Sequence, residues 1–174
     1  MAITIHQASV PVFVQSLTGV VNCLDKLAAH AASANIDPSL FLTERFYPNM
    51  FSYARQIQQL CYWAANSTAW LAGQEPPKFA NDEATLDALK ARVQKTIDYI
   101  QAIPADAVDA GESREIVYPA AGAQRRMRGN DFLLHQALPQ FYFHVTTAYD
   151  IARSKGVNMG KRDYMGPIPR MVQF

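Results

Sequence analysis

Four segments of the chain carry apolar residues that return every three or four positions, and nothing else in the sequence limits the possible folds so tightly. In the first, from about Ser9, the series is Phe13, Leu17, Val20, Leu24, Leu27 and Ala31, with Pro11 where a first helical turn tolerates it. The second, from about Asn49 to Leu71, has Ala54, Ile57, Cys61, Ala64, Thr68 and Leu71 on one stripe and Gly73 as its stop. The third is capped by Asn81 or Asp82, is striped by Leu86, Leu89, Val93, Ile97 and Ile100, and ends at Pro104. The fourth begins at Asn130 as cap and runs to Arg153, ahead of Gly156. Each spans roughly 22 to 26 residues, and stripes of that length have to be buried against other helices. The prediction is an all-α fold, four antiparallel helices packed at a shallow angle.

The connections add detail. Asp37-Pro38 and Tyr47-Pro48-Asn49 break the helical pattern around Leu40, Phe41 and Phe46, which are expected to cover one end of the bundle. Between Ala105 and Gly129 the helical period is lost. Two short runs, Arg114 to Tyr118 and Gln124 to Arg128, flank Pro119-Ala120-Ala121-Gly122 and read as a small β-hairpin between helices three and four. A tail of glycines and prolines, 157–174, follows the last helix, and residues 1–174 read as a single domain without repeats.

Composition removes several function classes. With 49% hydrophobic residues in 174, the chain can bury an ordinary core without disulfides or metal. The net charge of +1 supplies no general attraction to nucleic acid or to an anionic membrane, so neither partner is expected. Charge is nevertheless uneven. Residues 1–113 carry 7 Lys+Arg against 11 Asp+Glu, and residues 114–174 carry 9 against 4, which points to self-complementary contacts within the fold or between protomers. Cys23 and Cys61 lie in apolar helical stretches without metal-ligand spacing and read as buried thiols of a reducing compartment. No uncharged run approaches the ~20 residues of a membrane span and no leader pattern opens the sequence, so the expected location is the cytoplasm.

Chemistry has few places to reside. GxGxxG, Walker, HExxH and GxSxG patterns do not occur. Of the four histidines, His6 and His30 flank the first helical region, and His30, like His135, reads as a surface or packing residue. His135 and His144 are nine residues apart, which turns them to roughly opposite sides of a regular helix. Pro139 between them frees the carbonyl of His135 and predicts a kink or bulge. His144 belongs to the apolar series Ala137, Phe141, Ala148, Ile151 and faces the interior, either as a neutral core histidine bonded to a facing glutamine or tyrosine, or as a ligand or metal contact. Arg125, Arg126 and Arg128 read as solvated charges beside a turn. Trp63, Trp70, Phe141, Tyr142, Phe143 and Tyr149 read as core or dimer interface rather than a base-stacking platform.

Three strings, 7–13 (QASVPVF), 134–149 (LHQALPQFYFHVTTAY) and 160–163 (GKRD), resemble an uncharacterised bacterial family known only as a domain of unknown function, over nearly the whole chain. That family is similar in turn to the DinB/YfiT-like superfamily of four-helix bundles, often homodimeric, many with a divalent metal on three histidines and some acting as thiol-dependent transferases or isomerases. The superfamily's last-helix motif has two histidines four residues apart. Counted back from Gly156, the second coincides with His144 and the first with Gln140, while the ligand on helix two falls near Gln56 or Gln59. Amide oxygens are poor partners for zinc or nickel, for which imidazole and thiolate are the strong ligands. The resemblance therefore implies a degenerate metal site, no cofactor, and a homodimeric protein that binds a small molecule or another protein through Gln56, Gln59, Gln140 and His144. An alternative is a metal-dependent or His144-assisted transferase that uses a thiol or similar small nucleophile.

Overall fold

The computed structural model of the protein describes residues 2–120, 122–169 and 171. Helix α1 (Ile5–Ala34) opens earlier than its stripe indicates, because Thr4 and Gln7 form a reciprocal capping box with both bonds at 3.2 Å. Pro11 therefore lies inside the helix, at an exposed position, and not in the first turn. The short α2 (Ser39–Thr43) buries Phe41 and Leu42 but leaves Leu40 exposed, since five residues offer only one face to the bundle; Phe46, beyond the helix, is exposed too, and those two do not cover the bundle end as expected.

Helix α3 (Tyr53–Leu71) starts after an extended Ser52, whose hydroxyl accepts from the Arg55 N–H, so the chain at Asn49 is not yet helical. Helix α4 (Leu86–Ala102) starts beyond Asn81 and Asp82. Its cap is Thr85, whose hydroxyl accepts from Ala88 N–H at 3.1 Å, and the segment before it is held as a loop by Arg92, which donates to the Ala80 carbonyl at 2.6 Å. A one-turn helix, α5 (Ala105–Asp109), occupies part of the stretch that lacked helical periodicity. Strands β1 (Glu115–Ala120) and β2 (Ala123–Arg128) pair antiparallel with Tyr118 opposite Arg125 and Ile116 opposite Met127, each one residue longer than the sequence pattern. Gly122 takes a positive φ of 76° at the turn; Ala121 of the expected turn lies outside the described residues.

The fourth long helix is composite. It comprises α6 (Gly129–Phe132), a π-helical turn (Leu133–Ala137) and α7 (Leu138–Ser154), followed by α8 (Lys161–Met165) against α1. Around the bundle, α1 neighbours α4 and α7, and α3 neighbours α4 and α7, with α3–α7 the most extensive of these interfaces. Phe13, Leu17, Leu27, Ile57, Leu60, Leu89, Ile100, Phe132 and Phe141 are fully buried between them. Among the described residues no helix is long and apolar enough to cross a membrane.

The hairpin is fastened to the end of α3 by backbone approach too close for any side chain. A Cβ on Gly129 would lie 1.8 Å from the Gly111 carbonyl oxygen, and one on Gly111 would lie 2.3 Å from that of Leu71. Arg114 donates to the Leu71 carbonyl, satisfying an acceptor that the helix end leaves open. The segment after α7 is fastened to α1 in the same manner at Gly19, where Lys26 also pairs with Asp163 at 2.9 Å. Of the tail 157–174, residues 170 and 172–174 lie outside the described residues.

Candidate functional site

The α3–α7 interface carries the polar side chains that the sequence singled out. Pro139 is the second residue of α7, and its missing N–H is accommodated by widening the preceding turn, where the Leu138 N–H reaches back to the Leu133 carbonyl. The expected bulge is thus a π-turn. His135 lies on it, exposed, whereas His144 is 5% exposed and packed against α3; the two imidazoles do not share a site.

His144 Nδ1 lies 2.6 Å from Gln56 Oε1. The amide orientation follows from its other end, because Gln56 Nε2 donates to the Phe51 carbonyl at 3.3 Å. Nδ1 therefore carries the proton and donates it, and Nε2 holds the lone pair. Phe51 stacks on the imidazole at 6.3 Å between centroids and Phe143 meets it edge-on at 5.2 Å. Burial, and secondarily the charge of Arg55, holds the imidazole down at a pKa of about 4, so His144 is neutral at pH 7.

One turn away, Gln59 and Gln140 face a common groove of about 450 Å³, together with Arg55, Tyr62, Trp63, Asn81 and Gln136 and with Pro119, Ala120 and Gly122 of the hairpin. Gln56 and His144 do not line it. The four predicted residues thus form two adjacent rungs: a buried pair satisfied by itself, and an open pair facing the groove. The side-chain amides of Gln59, Asn81, Gln136 and Gln140 have no hydrogen-bond partner among the described residues. A shallower depression of about 320 Å³ adjoins it, lined by His135, Gln136, Pro139, Gln140 and Phe143. A larger groove, about 530 Å³ and mainly apolar, lies elsewhere, between α1 and Pro167–Pro169, and contains none of these groups.

Behind the groove a buried network joins α3 to α4. Arg92 pairs with Glu83 at 3.0 Å, Glu83 accepts from Gln58 at 2.9 Å, and Gln58 accepts from Arg55 at 3.1 Å. Arg92 also lies 4.3 Å from the Phe79 ring centroid, which fixes the 72–85 loop over α4. Cys61 beside it and Cys23 on α1 are buried, and burial pushes both thiols up to about 11, so neither is a ready nucleophile.

Sequence reasoning missed Arg55, Tyr62, Asn81 and Gln136. Two had a signal: Gln136 precedes Gln140, and Arg55 precedes Gln59, by four residues on one helix face. Asn81 and the hairpin residues reach the groove only through the tertiary fold.

Residues 5–165 match the model of a family described as Domain of unknown function (DUF1993). The chain belongs to this family. It is also similar to a crystal structure of a DinB family member protein from Shewanella denitrificans, with a TM-score of 0.89 and 30% identity over 97% of this chain and 95% of that one. No curated protein matches it. The DinB-like bundle with its inserted hairpin is therefore the fold of this DUF1993 protein.

The DinB-like resemblance raises the question of a metal. Here the buried imidazole meets one amide, Gln56, to which its Nδ1 proton is already bonded, while Gln59 and Gln140 face the groove on the next rung. Among the described residues no three His, Cys, Asp or Glu side chains converge. The donor set does not fit zinc or nickel, which require imidazole, thiolate or carboxylate.

Proposed function

We propose that this DUF1993 protein is a homodimeric small-molecule-binding protein whose site is the groove between α3, α7 and the hairpin. The observation that carries the reading is the set of unengaged amides, Gln59, Asn81, Gln136 and Gln140, around a concavity of about 450 Å³. That size suits a small ligand, and polar groups without internal partners are what such sites use to orient one. His144 and Gln56 support the groove from the neighbouring rung by fixing α3 against α7. A ligand-observed NMR fragment screen tests this: hits should compete for one site and be lost in Gln59→Leu/Gln140→Leu protein that keeps the parent's circular dichroism. Hits that bind the double variant unchanged would refute the assignment.

Dimerisation is supported by exposed Phe46, Tyr47, Phe51 and Phe143 and by charge left unbalanced between the two parts of the chain. Among the described ion pairs only Lys155–Glu44 joins a cation of the basic part to an anion of the acidic part. Light scattering at tens of micromolar should return twice the chain mass; a monomer mass would sink the assembly.

A second reading, His144 as general base toward a thiol or similar nucleophile, is favoured by the tautomer, which leaves Nε2 with a lone pair. A pKa near 4 opposes it, because so weak a base gives little driving force at neutral pH. Stoichiometric zinc or nickel in protein purified without a chelating tag would restore the enzyme reading.

A further inference from the structure

The groove has a sign. Its lining includes one guanidinium and four amides but no carboxylate. Arg55 is half-buried, lies 5.5 Å from the Phe51 ring centroid, and has no carboxylate within ion-pair distance among the described residues. Of its five N–H donors, one of the two at Nη1 is engaged, by Gln58.

The nearby acid does not neutralise it. Glu83 gives one oxygen to Arg92 and the other to Gln58, and the ion pair is buried, with side chains 6% and 10% exposed. Glu83 and Arg92 cancel each other's charge, while Gln58 passes on only orientation: it accepts from Arg55 and donates to Glu83. An arginine aimed by a neutral amide, with its charge left uncompensated, attracts an anion from solvent and can grip two oxygens at once. Beside it Tyr62 and Trp63 meet edge-on at 5.5 Å, an apolar wall for a flat body.

Resting on the small-ligand reading above, we infer that the groove takes a small aromatic or similarly flat organic anion, its carboxylate or phosphate on Arg55 and the amides, its ring against Trp63 and Tyr62. The amides donate to the oxyanion alongside the guanidinium, and cationic ligands are repelled.

The test uses 15N-labelled full-length protein and three probes of one shape, benzoate, benzamide and benzylammonium, with phenyl phosphate as the alternative oxyanion. Benzoate or phenyl phosphate should shift the Trp63 indole N–H and the Gln59 and Gln140 side-chain amides, and bind about tenfold or more tightly than benzamide. Arg55→Gln should remove that advantage, weakening the anions about tenfold more than benzamide, and Arg55→Lys should restore part of it; an unaltered spectrum away from the groove verifies the fold. Benzamide or benzylammonium binding as well as the anions, or anion binding indifferent to Arg55→Gln, overturns the assignment of charge but keeps the groove as a ligand site. If no probe shifts the groove signals, both this inference and the small-ligand reading fail.

Discussion

The neutral state of His144 ties the α3–α7 interface to pH, and the sign of the dependence follows from its pKa. In the unfolded chain the imidazole takes up a proton near the ordinary value of 6.5, whereas in the folded protein it does so only near 4. Between these values the unfolded state binds more protons, so stability rises with pH there. The stabilising contribution is complete above 6.5 and is lost as pH falls toward 4. At 1.36 kcal/mol per pKa unit, the separation corresponds to roughly 3 kcal/mol over the whole window.

His144→Leu removes the titration and isolates it. At pH 7 the variant loses the Nδ1–H donor and leaves Gln56 Oε1 buried without a partner, a cost of about 1 to 3 kcal/mol. As the pH falls, wild type loses the stability that the variant never had. The difference between them should therefore close by roughly 3 kcal/mol between pH 7 and 4, with the variant equal or more stable at the acid end. Asp37 and Asp163, whose carboxyls are held below their usual range by hydrogen bonds first, titrate alike in both proteins and cancel. Urea unfolding followed by circular dichroism at half-unit pH steps measures the gap. A gap that stays constant from pH 7 to 4 would show that His144 is not held neutral by its surroundings.

Three further outcomes follow from the packing. Gly129→Ala should destabilise by about 3 kcal/mol or more, the range of the severest single substitutions, since its Cβ would overlap the Gly111 carbonyl; thermal unfolding measures it. Glu83→Gln leaves the buried Arg92 charge unpaired and should cost about 3 to 5 kcal/mol, whereas Glu83→Gln/Arg92→Met should recover much of the loss, checked by a double-mutant cycle in urea. Cys23 and Cys61, with thiols pushed up to about 11, should react with a chromogenic disulfide at pH 8 only on the timescale of unfolding.

What could be read from the sequence divides along the distance in the chain over which each feature is decided. The stripes from Phe13 to Ala31 and from Leu86 to Ile100 are local repeats, and helices bury them as written. Helix starts depend on more than the local pattern. Thr4, Ser52 and Thr85 won the caps over more obvious neighbours, and at Asn81 and Asp82 the outcome was set by Arg92, which holds the preceding loop. Pro139 announced a defect, but only the surrounding packing makes it a π-turn.

The same division runs through the site. Gln56, Gln59, Gln140 and His144 come from the DinB-like motif counted back from Gly73 and Gly156; the structure pairs His144 with Gln56 and sets Gln59 and Gln140 on one groove a turn along, because residues three or four apart share a helix face. Asn81 and the hairpin reach the groove from sequence distances over which no periodicity acts, and the isolation of Arg55 depends on Glu83 being claimed by Arg92. Where the DinB-like pattern places histidines for a metal, this chain has amides, and next to them a guanidinium whose counter-charge is spent elsewhere. An amide in place of an imidazole keeps a polar rung between the helices but offers N–H donors as well as a weakly ligating carbonyl, which suits the anion inferred above better than a cation. The shape of the bundle can persist through such an exchange while the ligand we infer has the opposite sign, which is why fold likeness alone does not transfer an activity to this protein.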